Sequence, residues 1–257
     1  MKRSGAWNQL AGLDGCSAGW VMATIRDGSI AIDVVDSIDA AWRALAAPRV
    51  VLVDIPIGLC DGPRACDVEA RALLGAARSR VFPAPCRAAA EAAAYPEANR
   101  LSKQITGKGL SKQAWNITAK IRQVDTFLRA TPAARGVVRE CHPEVCFTGL
   151  CGRPILASKK TDDGFEERAN ALAAAFAPVL GRGSVVMDAV EEAMSRWPRR
   201  MLARDDIVDA MAALACAIAP EGALRTLPRD PPHDSCGLPM EMVYRAGEVC
   251  VANEPRA

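Results

Sequence analysis

Two aspartates, Asp206 and Asp209, stand three residues apart at the start of an otherwise apolar run over residues 203–217. The run predicts a helix, and that spacing puts both carboxylates on one face near its N-terminus. The residues that follow are almost all apolar. The helix is therefore expected to be buried, with an acidic end emerging from a core. Two carboxylates so placed repel one another and are poorly solvated, which a cation between them relieves. Hard divalent ions such as Mg²⁺ or Mn²⁺ take oxygen ligands of this kind. Two such ions about 4 Å apart can activate a water and stabilise the leaving oxygen of a phosphodiester.

Other carboxylates stand where strands could deliver them. A short apolar strand over residues 9–16 ends around Asp14, and Gly15 and Gly19 make the turn into a second strand over 20–25. Asp27-Gly28 is a hairpin signal leading into a third strand over 29–35. Ser37 caps a helix to about residue 46, and residues 49–55 form a continuous apolar strand of the kind buried on both faces, ending at Asp54. Residues 60–135 read as a helix-rich insertion, 137–141 as a fifth strand, and 164–177 and 184–197 as helices before the acidic one. The tail over 221–257 is rich in proline and glycine and is expected to be irregular, apart from a short edge strand over 241–244.

This order predicts one α/β domain over residues 1–257 with a ribonuclease H-like fold. Its mixed five-stranded sheet has three antiparallel hairpin-linked strands, and the fourth and fifth run parallel to the first. Strands one and four lie side by side in that arrangement, so Asp14 and Asp54 project from neighbouring strand ends. The acidic helix then brings Asp206 and Asp209 to the same point. Glu144, just past the fifth strand beside His142, is a further ligand or proton shuttle. Taken singly, Asp14 before Gly15 reads as a turn residue, and Asp205 as a helix N-terminal residue favoured by the dipole.

Bulk composition narrows the class. Half of the 257 residues are hydrophobic, enough for a full core, and the formal charge of +2 marks no concentrated basic tail. No apolar stretch near the N-terminus has the length of a signal peptide, and charges or prolines break every apolar run short of a membrane span. A cytoplasmic protein with no membrane partner is expected. The ten cysteines then read as small buried hydrophobes rather than a disulfide framework. Cys141, Cys146 and Cys151 step by five, which is not a zinc-knuckle spacing.

Several stretches together resemble one family: residues 12–20, 53–58, 62–67, 81–85, 106–115, 140–145, 158–161 and 204–210. They look like the predicted RNase H-like nucleases gathered as domain of unknown function 429 (DUF429), over about residues 11–218. The Asp-x-x-Asp-Ala ending of residues 206–210 is also similar, over a shorter span, to RuvC-type Holliday-junction resolvases. The resemblance implies the fold, and it implies nuclease activity as a prediction attached to the family. Resolvase-like enzymes often act as dimers, so a homodimer is an accompanying expectation.

The resulting expectation is a metal-dependent nuclease acting on DNA or RNA. Asp14, Asp54, Asp206 and Asp209 would bind Mg²⁺ or Mn²⁺, with Glu144 assisting. Arg64, Lys108, Lys112, Lys120, Lys159 and Lys160 suit phosphate contacts, and Trp115 a base-stacking platform. A solvated helix face and a core tryptophan are the competing account of those residues. Two other functions stay open: an ATP-dependent phosphotransferase or ATPase on the same core, and a non-catalytic nucleic-acid-binding module.

Overall fold

In the computed structural model, which describes residues 7, 9–181, 184–220 and 222–247, the central strand is β1, Leu10–Cys16. It pairs antiparallel with β2, Gly19–Arg26, which pairs antiparallel with β3, Ser29–Val35. After helix α1, Ile38–Ala44, whose Ser37 cap accepts the Ala40 amide, the chain returns as β4, Val50–Val53. This strand lies parallel to β1, and β5, Val138–Glu140, lies parallel to β4. The order β3-β2-β1-β4-β5 and its directions are those expected from the sequence.

Alternation of side chains splits the core in two. Ala11, Leu13, Val51 and Val53 face α1 and the later helix α6, Thr118–Ala130. The insertion leading to α6 contains α2, Ala65–Leu74, then α3, Arg87–Glu91, α4, Tyr95–Thr106, and α5, Lys112–Asn116. Leu52 and the inward residues of β2 face the C-terminal helices. These are α7, Pro143–Cys151, α8, Asp162–Leu180, α9, Val185–Arg196, and α10, Arg204–Ala217. α7 is absent from the sequence reading, because its short run hides behind Pro143, a residue well suited to a first helical turn.

α10 is buried from Ile207 to Ala217 and crosses β1 at backbone contact. A Cβ on Gly12 would lie 2.1 Å from the Ala210 carbonyl oxygen and 2.2 Å from the Leu214 nitrogen. Only glycine lets the helix settle this close, and the next residue back along α10 is Asp209.

The tail departs from expectation. Leu224–Leu227 (β6) and Met242–Arg245 (β7) form their own antiparallel pair instead of adding an edge to the main sheet. Gly149 of α7 admits this pair, since a Cβ there would meet the Arg245 carbonyl oxygen at 2.1 Å. Asp234, which accepts the amides of Leu59, Cys236 and Leu238 and the guanidinium of Arg87, ties the intervening loop to the region after β4. The rest of the tail expected to be irregular, beyond residue 247, lies outside the described residues. The described cysteines are all free thiols, and most are buried. No single helix among the described residues is long and apolar enough to cross a membrane.

Gly12→Ala tests the crossing. Overpacking against backbone that cannot yield is expected to cost about 3 kcal/mol, read as a lower urea midpoint. An unchanged midpoint would mean that α10 does not pack at this distance.

Candidate metal centre

The register of β1 and β4 builds the first half of the site. Leu13 pairs with Val53, and the Asp54 amide donates to the Leu13 carbonyl at 2.9 Å. Asp14 and Asp54 are the next residues of their strands and so emerge side by side. α10 supplies Asp209. All three line one cavity of about 450 Å³ beneath the ends of β1, β4 and β5.

The three carboxylates are crowded in charge, and Asp209 is incompletely satisfied. Asp14 is 9 % exposed and accepts its neighbouring Gly15 amide at 2.6 Å. Asp209 is 3 % exposed; its Oδ2 accepts the Lys159 ammonium at 2.6 Å, while its buried Oδ1 has no partner among the described residues. Burial, then the charges of Asp54, Asp209 and Asp206, raise the Asp14 carboxyl well above its ordinary range. Burial and the Asp209 charge push Asp54 up to about 8, against the opposing pull of Lys159. Asp209 is also raised by burial, with Lys159 again opposing. An oxygen-only donor set with an orphaned buried oxygen fits a hard divalent cation.

The other acidic residues around the cavity are differently placed. Asp206, expected as a ligand, is not among the residues lining it. Its Oδ2 accepts the Ala203 amide at 3.1 Å, so Asp206 rather than Asp205 does the capping, and it reaches Asp14 through charge alone. Asp205 instead lies 3.5 Å from Lys159. Glu144, expected as a ligand or shuttle, lines the cavity with both oxygens committed to guanidinium groups, Arg80 at 2.6 Å and Arg168 at 2.7 Å. Burial lowers His142 to about 4, leaving it neutral, and its Nδ1 accepts the Glu144 amide at the head of α7.

Arg64 is a second correction. It is 3 % exposed, and its donors go to Asp67, Glu140 and the carbonyls of Ile57 and Gly58, which leaves none for a phosphate. Glu140, raised by burial to about 7 against the pull of Arg64, also accepts the Ile57 amide at 2.6 Å. Cys66, Asp67 and Glu140 present ligand atoms within 4.8 Å of one another, a buried cluster that could hold a metal. Arg64 already supplies the cation there, at 2.5 Å from Asp67 and 2.8 Å from Glu140.

The expected phosphate contacts divide by location. Lys120 and Lys159 line the cavity. The Lys120 ammonium donates to the Gly19 carbonyl at 2.5 Å and lies 4.7 Å from the Trp20 ring centroid. Lys108 and Lys160 are exposed and outside the cavity lining. Lys112 stacks its ammonium 3.4 Å over Tyr95, and Trp115 packs edge-on against the same ring. Trp115 thus belongs to a small apolar cluster of the insertion rather than to the cavity wall. Sequence reasoning missed the roles of Glu140 and Arg168. Both had a signal: Glu140 shares a strand face with buried Val138, and Arg168 falls on the buried Gly164–Leu172 stripe of α8 at four-residue spacing.

Two variants test this account. Asp54→Asn is expected to stabilise the metal-free protein at pH 8. A carboxyl whose folded value lies above its unfolded one contributes stability at low pH that is lost as pH rises toward about 8. Discounted for partial exposure, about 1–2 kcal/mol, or roughly 2–8 °C in melting temperature, is expected, fading near pH 4. A lower melting temperature at pH 8 would contradict the crowding. Arg64→Met, which strands two buried carboxylates, is expected to cost about 3–5 kcal/mol in chemical denaturation; a neutral result would mean that the network is not a structural clamp.

Among known proteins, no curated protein and no solved structure matches this chain. The family described as "Protein of unknown function (DUF429)" matches residues 12–233. That span includes β2 to β5, most of β1 and every carboxylate of the cavity, and the chain belongs to the DUF429 family.

Proposed function

We propose that this protein is a metal-dependent hydrolase of phosphodiester bonds in DNA or RNA, with Asp14, Asp54 and Asp209 holding Mg²⁺ or Mn²⁺. The observation that carries the reading is the buried Oδ1 of Asp209, without a partner among the described residues, on a side chain that lines one cavity with Asp14 and Asp54. Unpaired buried carboxylate oxygens are costly, and an ion that takes them as ligands offsets that cost. Such an ion, when bound, supplies Lewis-acid polarisation of a phosphate oxygen and a more acidic water. The ribonuclease H-like reading of the strand order supports the same chemistry.

The chain's own groups have distinct parts in this scheme. Asp14 and Asp54 are fixed by strand register, so their carboxylates need little reorganisation to act together. Lys120 and Lys159 present positive charge to a phosphate at the cavity wall. Ile55, Pro56, Phe82 and Ile117 line the cavity with apolar surface, which limits water around a bound ester. A cavity of about 450 Å³ is of small-molecule size. A strand would therefore present one nucleotide at a time.

Labelled single- and double-stranded DNA and RNA, incubated with Mn²⁺ or Mg²⁺, test the reading. Cleavage is expected with at least one substrate, to stop on chelation, and to fall by on the order of a hundredfold or more in Asp14→Asn and Asp209→Asn. Cleavage that survives both substitutions would overturn the assignment.

A further inference from the structure

Lys159 is in an unusual place for a phosphate-binding lysine. Its ammonium lies 2.6 Å from Asp209 Oδ2 and 3.5 Å from Asp205 Oδ2, and its charge is felt at Asp14 and Asp54. We propose that the Lys159 ammonium fills one of two cation positions in this carboxylate cluster, so that the centre takes a single divalent ion. The inference rests on the metal reading above.

The geometry of Asp209 is the main argument. A carboxylate shared between two cations gives one oxygen to each. Asp209 lines the cavity with Asp14 and Asp54; it already gives Oδ2 to Lys159, and its buried Oδ1 has no partner among the described residues. One oxygen is thus spent on a resident cation and one is left for an incoming ion. A lysine can take such a position because its ammonium is a compact point charge with three donors.

The backbone around Lys159 holds it there. Arg80 donates to the carbonyls of Ile155 and Leu156, and Arg168 donates to that of Ala157. Glu144 bridges the two arginines. On the other side, Thr161 caps α8 by accepting the Gly164 amide. The loop carrying Lys159 is therefore anchored at both ends, and Glu144, expected as a ligand, acts instead as a positioning residue for the lysine. A second ion at the Asp209 Oδ2 position would lie against the ammonium.

Calorimetric titration of metal-free, full-length protein with MnCl₂ tests this, on the parent, Lys159→Arg and Lys159→Met. One Mn²⁺ per chain is expected for the parent and for Lys159→Arg. Two are expected for Lys159→Met, with spin coupling between the ions in its Mn²⁺ spectrum. Far-UV circular dichroism checks that the variants are folded. Two ions in the parent, or one in a folded Lys159→Met, would overturn the lysine assignment and leave the metal reading standing. No Mn²⁺ in any of the three would overturn both.

Discussion

The contact between Gly12 of β1 and the backbone of α10 at Ala210 and Leu214 is the constraint on which the site depends. Without a Cβ at residue 12, the helix lies directly on the strand rather than a side chain's width above it. That distance decides whether Asp209 reaches the level of Asp14. The short side chains of Ala210 and Ala213 contribute to the same closeness, and the whole helix beyond Ile207 is committed to the core. A carboxylate one residue before such a contact has little freedom to turn away.

The cavity contrasts two treatments of buried negative charge. Glu140 and Asp67 are neutralised by Arg64, and Glu144 by Arg80 and Arg168, with bonds between 2.5 and 2.8 Å. These pairs join the insertion and the α7–α8 segment to the sheet, and each acidic group has its charge answered in place. Among the described residues Asp14 and Asp54 have no guanidinium partner, and Asp209 has a lysine on one oxygen only. Arg64 and Arg80 of the cavity wall, with Arg168 beside them, go to other acids and leave Asp14 and Asp54 without such a pair. This asymmetry separates structural acids from those available to an ion.

Much of the scaffold was legible in the chain. Asp27-Gly28 marked the β2–β3 hairpin, the unbroken apolar run before Asp54 marked a strand covered on both faces, and Ser37 marked the start of α1. Local signals of this kind survive because turn geometry, capping and side-chain alternation act over a few residues. The acidic residues were legible as candidates for the same reason. Their roles were harder to read: Arg64 looked like a phosphate contact until its burial against Glu140, 76 residues away, accounted for its donors. Trp115 likewise proved to pack within the insertion, and β7 found β6 instead of the main sheet.

Short windows of the chain were enough to mark the five sheet strands, α1 and α10 in their order, because periodicity, glycine turns and caps are local properties. It also placed Asp14, Asp54 and Asp209 at element ends where carboxylates can meet. Only the tertiary structure decided which acids are left unpaired. That outcome turns on which arginine or lysine arrives from a distant segment to within about 3 Å, a matter of packing that no local pattern encodes. Glu144 went to Arg80 and Arg168 and one oxygen of Asp209 to Lys159, whereas Asp206 kept a local partner, the Ala203 amide. The other oxygen of Asp209 was left without a partner among the described residues.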